Sequence, residues 1–345
     1  MKEEGMRKRV FFATICAFIF LFSVSLDAAT YYEGKTIRIV VGLSAGGGYD
    51  LWARTIARHL GKFIPGNPTV IVENMPGAGS IVAANYIYKA AKPDGLTIGH
   101  ISGNIFFNQL FGQKGIEFDA RHFEYIGAPY QDEQVIFIKR GRGVSTLDEW
   151  FKAKKPLRFG GQAPGSTFSD NAPRVLREAL GLPIKTISGY KGTAEVKLAM
   201  EQGEVDGNSL SWTSGKAVWA KELKTGDIIP ILQIVPKPIP EIAHVPKAIN
   251  YAKTPRAKKL IELVVHDPAK YARPFMLPPK TPREQVHILR EAFHKLLSDR
   301  EFIAEATKAR LEIKPATGEE LKQAIEDLFA LSPAEVESLK ELLLK

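Results

Sequence analysis

The 345-residue chain contains a single cysteine, Cys16, and it sits in an uncharged apolar stretch near the N-terminus. A chain cut after that stretch keeps no cysteine, which excludes a disulfide, a thiol nucleophile and a Cys-ligated metal. Metal-binding spacings are also missing: there is no H-E-x-x-H, no Cys/His cluster and no acidic calcium loop. No Lys follows Gly47, as a phosphate-cradling loop requires. The dinucleotide fingerprint fails because Leu51 follows Gly46 and Gly48, and Val82 follows Gly77 and Gly79. Basic residues exceed acidic ones by 9, yet they are scattered, with one short cluster at Lys152–Lys155. Such a pattern describes a solvated basic surface and no nucleic-acid partner.

What the N-terminus does have is order. Lys2, Arg7, Lys8 and Arg9 precede the uncharged residues Val10–Leu26, and Asp27-Ala28-Ala29 follow. This is the layout of a secretory signal peptide over residues 1–28, with cleavage after Ala28 or Ala29. An uncleaved membrane tether is the alternative, because about 17 apolar residues is the lower limit for a spanning helix. Export without structural cysteines suits a bacterial periplasm, where a large core makes disulfides unnecessary.

The length suggests about two domains. Strands are expected at 37–41, 69–73, 96–100, 135–139, 157–160 and 228–235, with helices at 50–63, 81–91, 147–154, 171–180 and 194–202. Such alternation predicts an α/β fold with largely parallel sheets. Trp52, Ile56 and Leu60 recur at spacing four, the stripe of a helix packed on a core. From residue 281 onward the patterns are helical, at 281–297, 299–309 and 318–344. One plan occurs twice: a strand, a Gly/Ser loop and a helix, first in TIRIVVGLSAGGGYD and again in LRFGGQAPGSTFSD. Asp50 and Asp170 stand near the two helix starts. Two such units suit two lobes facing one another, with loops at the carboxyl ends of strands, where α/β sheets bind ligands.

Gly42-Leu43-Ser44-Ala45-Gly46 also fits the G-x-S-x-G nucleophile elbow. That motif needs a base, and none of the seven histidines has a catalytic setting. The elbow strand of a hydrolase also comes after several others, whereas this one opens the chain that follows the signal. A secreted serine esterase using Ser44 is therefore the enzymatic alternative. Other small-residue loops stand at expected strand ends: Pro76–Ser80, Ser102–Asn104 and Gly165–Ser169. Glycine allows close backbone approach, Ser and Thr donate hydrogen bonds, and helix N-termini favour negative charge. Taken singly, each loop is a tight turn or a helix cap. Taken together, they suit recognition of a carboxylate without chemistry.

Several motifs point to one family. Gly47-Gly48-Tyr49-Asp50, Val72-Glu73-Asn74-Met75-Pro76-Gly77-Ala78-Gly79 and Pro93-Asp94-Gly95 follow one another with a strand before the first. Further on come Gly189–Asp206 (GYKGTAEVKLAMEQGEVD) and Ile239–Ala252 (IPEIAHVPKAINYA). The chain resembles the extracytoplasmic solute receptors of tripartite tricarboxylate transporters, the Bug-type binding proteins, over nearly all of its length after the signal.

The resemblance implies a two-lobed periplasmic binding protein of type II-like α/β architecture, with a hinge and a helical C-terminal segment. Lobe 1 would take residues 30–133 plus 236–345, and lobe 2 residues 134–235. It implies capture of a small carboxylate, possession of no cofactor, and delivery to a membrane permease with a large and a small subunit. A binding protein that senses ligand for a membrane kinase is a further alternative. Expected ligand-binding residues in the first lobe are Ser44, Ala45, Gly46, Gly47, Tyr49, Asp50, Gly77, Ala78, Gly79, Ser102 and Asn104. In the second they are Gly165, Ser166, Thr167, Tyr190, Thr193 and Asp206. Asp50 is expected to brace its loop rather than touch an anion.

Departures from the family pattern lie at Gly42-Leu43, Tyr49, Trp52 and Gln162-Ala163-Pro164. They leave the substrate open between an aliphatic and an aromatic carboxylate, since Tyr49, Trp52, Phe106, Phe107 or Trp212 would stack on a ring. Core packing is the competing reading for each of these aromatics, and the favoured one for Trp52 and Phe107.

Overall fold

The TIRIVV run is buried on both faces at its C-terminal half, as a central parallel strand must be. It is one of eleven strands in a computed structural model that describes residues 31–344. The expected signal segment, residues 1–28, lies outside the described residues. The strands are β1 (Thr36–Val41), β2 (Thr69–Asn74), β3 (Thr97–His100), β4 (Glu124–Ala128), β5 (Gln134–Lys139), β6 (Leu157–Gly160), β7 (Ile184–Ile187), β8 (Gly207–Ser211), β9 (Ile228–Ile234), β10 (Phe275–Leu277) and β11 (Ala316–Thr317).

Helices alternate with them through the first two-thirds of the chain. These are α1 (Gly48–Leu60), α2 (Ile81–Lys89), α3 (Ile105–Leu110), α4 (Leu147–Phe151), α5 (Phe168–Leu180), α6 (Thr193–Gln202), α7 (Trp212–Val218) and α8 (Ala220–Thr225). The later ones are α9 (Pro255–Ile261), α10 (Arg283–Leu297), α11 (Arg300–Lys308), α12 (Gly318–Phe329) and α13 (Pro333–Leu344). The helical pattern expected over 318–344 is thus two helices, and Pro333 opens the second, where its missing N–H is harmless.

Two sheets result, ordered β11-β4-β10-β3-β1-β2 and β7-β6-β8-β5-β9. Strands β1, β2 and β3 run parallel, as do β6, β7 and β8. The expectation of largely parallel sheets needs correction, because β10 lies antiparallel to β3 and β4, and β5 antiparallel to β8 and β9. The reason is connectivity. The chain leaves the first sheet after β4 and enters the second as β5, then returns as β10, and each entering strand runs against its neighbours.

Period-two burial divides the first sheet's residues between two cores. Ile37, Ile39 and Val41 pack with Trp52, Ile56 and Leu60 of α1 and with Leu289 and Phe293 of α10. Val40, on the opposite face, packs with Ala83, Ala84 and Ile87 of α2. The stripe read from the sequence is therefore the inner face of α1, each large side chain contributing about 1.5–3 kcal/mol by burial.

The C-terminal residues divide between the sheets. α10 and α12 lie on β4 and α11 on α1, whereas α9 and α13 lie against α5 of the second sheet. Leu260 and Ile261 of α9 and Leu339, Leu342 and Leu343 of α13 share the apolar cluster that holds Val175 and Leu176 of α5. The expected bounds put all of 236–345 in lobe 1; packing spreads that segment over both.

The two main crossovers, residues 129–133 and 268–274, touch each other: the Asp132 N–H donates to the Ala269 carbonyl at 3.0 Å. The second crossover also rests on Gly103, whose N–H donates to the Ala272 carbonyl at 3.1 Å. A Cβ at Gly103 would overlap the Tyr271 carbonyl oxygen, and a backbone atom cannot swing away as a side chain can. Gly103→Ala should therefore destabilise the protein by about 1–3 kcal/mol. An unchanged melting temperature by circular dichroism would contradict this packing.

Candidate functional site

The loop between β1 and α1 is shaped by a carboxylate. Gly47, extended at φ −91° and ψ 175°, precedes the helix and offers no side-chain cap. Asp50, in the first turn, instead accepts the Gly46 N–H at 2.9 Å and an Asn74 Nδ2 bond at 3.0 Å. Arg54, one turn on, donates to the same carboxylate at 3.0 Å. Burial alone would raise the Asp50 pKa, but the bonds from Arg54, Gly46 and Asn74 outweigh it and leave it below the usual value. Asp50, also placed among the expected ligand-binding residues, is committed to the loop and has little capacity left for a ligand.

The second loop repeats this device. Asp170, in the first turn of α5, accepts the N–H groups of Gln162 at 2.6 Å and Ala163 at 3.0 Å, and the Thr167 hydroxyl at 2.9 Å. Here burial wins: the Asp170 pKa is raised despite bonds from Ser188, Thr167 and Gln162. Gly165 takes φ +79°, a left-handed conformation that glycine adopts without strain.

A third loop carries strain. Ala78 at φ +44° and Ser80 at φ +95° alternate with Gly77 and Gly79 in the left-handed half of dihedral space. Non-glycine residues there cost on the order of 1–3 kcal/mol each and cluster at functional sites. Ser80 Oγ accepts the Ser102 N–H at 3.1 Å, tying this loop to the end of β3.

These loops meet across the space between the sheets. The Ser44 N–H donates to the Lys191 carbonyl at 3.2 Å, and the Ser102 hydroxyl to the Ser166 carbonyl at 2.7 Å. Asn171 Nδ2 donates to Asn104 Oδ1 at 3.2 Å, and Asn108 Nδ2 to the Pro164 carbonyl at 3.1 Å. Glycines permit the approach: a Cβ on Gly47 would lie 3.5 Å from the Thr193 side chain, and one on Gly79 or Gly192 would collide with Ser166 or Ser44. Ser44, Gly47, Gly79, Ser102, Asn104, Ser166 and Thr193 therefore gather at one seam. Ala45, Gly46 and Ala78 are exposed beside it, and Gly77, Gly165 and Thr167 shape its loops.

Two expected residues stand apart from the seam contacts. Asp206 is bound by the Arg158 N–H at 2.9 Å and its guanidinium at 2.8 Å, one residue before β8 begins. It braces β6 and carries no free oxygen for a solute. Tyr190, half-buried, directs its hydroxyl to Glu204 at 3.3 Å. Of the aromatics, Trp52, Phe106 and Phe107 are fully buried core residues, and Trp212 stacks on Phe137 at 6.0 Å. Tyr49 remains near the seam, its hydroxyl donating to the Ala272 carbonyl at 2.8 Å.

Sequence reasoning missed the floor of this seam. Arg273, from the second crossover, pairs with Asp132 from the first; their side chains are 3% and 2% exposed. Arg273 Nη2 donates to Ser211 Oγ and Ser214 Oγ, each at 2.9 Å. Nothing in the surrounding YARPF marks Arg273 as a site residue.

The esterase chemistry finds no support in this geometry. Ser44 Oγ is buried without a hydrogen-bond partner, so no base polarises it. His100, at the end of β3, has its pKa pushed down to about 3, chiefly by burial, and stacks on Phe275 at 4.0 Å. It stays neutral at physiological pH and bonds the Pro274 carbonyl through Nδ1 at 3.1 Å. Among the described residues, His59, Asp299 and Glu301 lie close enough to share a cation, but Lys62 Nζ already contacts both acids, at 2.7 and 2.9 Å.

Two α/β units joined by adjacent crossovers, with braced loops facing across a seam, define a two-lobed α/β architecture. The chain belongs to the family described as tripartite tricarboxylate transporter family receptor, which matches residues 52–237, more than half its length. A UPF0065 protein of Bordetella pertussis is 30% identical over 211 residues, 60% of this chain and 62% of that one. A UPF0065 protein of Agrobacterium vitis is 29% identical over 186 residues, 52% of each. The chain thus spans roughly half to three-fifths of these relatives' length.

Solved structures share the fold across almost their whole length. The periplasmic binding protein BugD aligns at TM-score 0.72 and 22% identity, covering 90% of this chain and 98% of its own. Rpa4515 of R. palustris with adipate aligns at 0.72 and 19%, covering 90% and 97%. MatC of Rhodopseudomonas palustris with bound malate aligns at 0.68 and 17%, covering 90% and 99%.

The depressed Asp50 pKa gives a signed prediction. A carboxylate stabilised in the folded state adds stability above its unfolded pKa of about 3.9, and loses it as pH falls through the lower folded value. Asp50→Asn should cost about 1–3 kcal/mol at pH 7, and the gap to wild type should close below about pH 4. A gap that persists unchanged into acid, followed by urea unfolding, would refute the bracing role.

Proposed function

We propose that this protein is a periplasmic receptor that closes its two lobes on a small carboxylate and delivers it to a membrane permease with large and small subunits. The observation that carries this reading is the facing pair of Asp-braced Gly/Ser loops, at Ser44–Asp50 and Gly161–Asp170. Each starts a helix of 13 residues. Helix N-termini, hydroxyls and closely approaching backbone stabilise an anion without a catalytic group. Family membership supports the receptor role, and the malate and adipate in proteins of this fold support the ligand class.

The proposed contact set is Ser44, Ala45, Gly46, Gly47, Tyr49, Gly77, Ala78, Gly79, Ser102, Asn104, Gly165, Ser166, Thr167 and Thr193, with Asp50 and Asp170 as braces. The direct bonds that now span the seam would open to admit the solute and be replaced by bonds to it, a hinge motion about the adjacent crossovers. Among the described residues no helix is long and apolar enough to cross a membrane.

A thermal-shift screen of malate, citrate, adipate and benzoate at millimolar concentration tests this function. A ligand present at about 100 times its dissociation constant stabilises by about 2.7 kcal/mol. At least one acid should raise the melting temperature, and no shift from any carboxylate would sink the proposal. Turnover of a simple ester that disappears in Ser44→Ala would favour the enzyme instead.

A further inference from the structure

Arg273 has a donor that nothing in its surroundings uses. Its Nε pairs with Asp132 and its Nη2 with Ser211 and Ser214, while Nη1 is buried with no hydrogen-bond partner. The guanidinium lies 4.5 Å from the centre of the Tyr49 ring. Nη1 faces the first residue of α1: a Cβ on Gly48 would stand 3.5 Å from it. A helix N-terminus and an unpaired cationic donor therefore meet at one point. Leaving such a donor buried and unmet is costly, and more so for a charged group than for a neutral one.

The neighbouring cations do not compete for this role. Arg54 is spent on Asp50 and Asn74, and Lys191 is exposed. Ser211 and Ser214 belong to the second sheet's unit, whereas Arg273 and Asp132 sit on the crossovers and Gly48 on the first unit. Opening the seam would carry the two serines away and bare the guanidinium edge at its floor. Asp132 would hold the plane of the fork fixed, which suits the two-oxygen geometry of a carboxylate.

We infer that Arg273 is a ligand-binding residue that donates from Nη1 to a carboxylate oxygen of the solute at the N-terminus of α1. It selects the acid over an amide of the same shape. This rests on the receptor reading above and adds a charged, specificity-determining contact to it. The loops alone would hold an anion by neutral donors. With Arg273 beneath them, the site discriminates by charge as well as by shape.

Arg273→Gln alone would strand a buried Asp132, which is strongly destabilising. The test is therefore the paired Asp132→Asn, Arg273→Gln variant, which keeps volume and hydrogen bonding while removing both charges. Wild type and variant are titrated calorimetrically with malate, citrate, adipate and benzoate and with the corresponding full amides. Wild type should bind an acid at least about tenfold more tightly than its amide. The variant, with its ligand-free melting temperature little changed, should lose about tenfold in affinity for the acid and most of that discrimination.

Undiminished preference for the acid in the variant overturns the inference and leaves the receptor reading intact. An equal loss for acid and amide assigns Arg273 to the hinge alone, and likewise overturns it. A wild type that binds none of the acids removes both readings together. Should the paired variant not fold, Arg273→Lys keeps the charge but not the fork. Its acid-over-amide preference should drop, and full retention would overturn the proposal.

Discussion

Each half of this protein depends on the same bond, a buried aspartate accepting backbone N–H groups from the loop that precedes its own helix. Asp50 holds Gly46, and Asp170 holds Gln162 and Ala163. Without that bond a glycine-rich turn has many conformations and pays for ordering with no packing of its own. With it, the loop has one shape, the helix start is aimed at the seam, and the following helix can bury its apolar face. The two carboxylates answer burial differently. Asp50 is partnered by Arg54 and held below the usual carboxylate range, whereas Asp170 is buried among neutral donors and held above it.

The seam between the halves is polar and tight. Hydroxyls, amides and carbonyls bond directly across it, yet Ser44 Oγ, Asn104 Nδ2, Asn171 Oδ1 and Arg273 Nη1 are buried with no partner. Each such group costs about 1–3 kcal/mol relative to a satisfied one. The seam is therefore made of compensating terms, bonds gained against groups left unmet. A solute that supplied acceptors and donors at those atoms would shift the balance by its differential affinity for the closed state. Strain at Ala78 and Ser80 belongs to the same ledger, since it is borne on a loop that faces Ser166.

Much of this was legible in the residues. Short apolar runs at 37–41 and 157–160 and the four-residue stripe Trp52, Ile56, Leu60 located the inner elements because most of those residues are buried. The doubled strand–loop–helix plan exposed the two facing loops, and the family resemblance implied that Asp50 braces the first of them. Strand directions were not legible: nothing in QVIFIK or FML records that these strands enter a sheet from the other unit. Nor were β4, β7, β8, β10 and β11, whose short or glycine- and serine-rich sequences carry little periodicity. Asp206 was expected at the site from the resemblance to the family's G-x-x-D segment, and its pairing with Arg158 is visible only in the fold. Arg273 and Asp132 are 141 positions apart, and only the fold brings them together.

The central claim is that the two braced loops form one binding site. Hydrogen exchange followed by mass spectrometry, with and without a carboxylate that raises the melting temperature, tests it most directly. Residues 44–50 and 161–170 should gain protection together as the acid is titrated, with the same midpoint. Protection of one loop without the other, or of neither while the acid is bound, would contradict it.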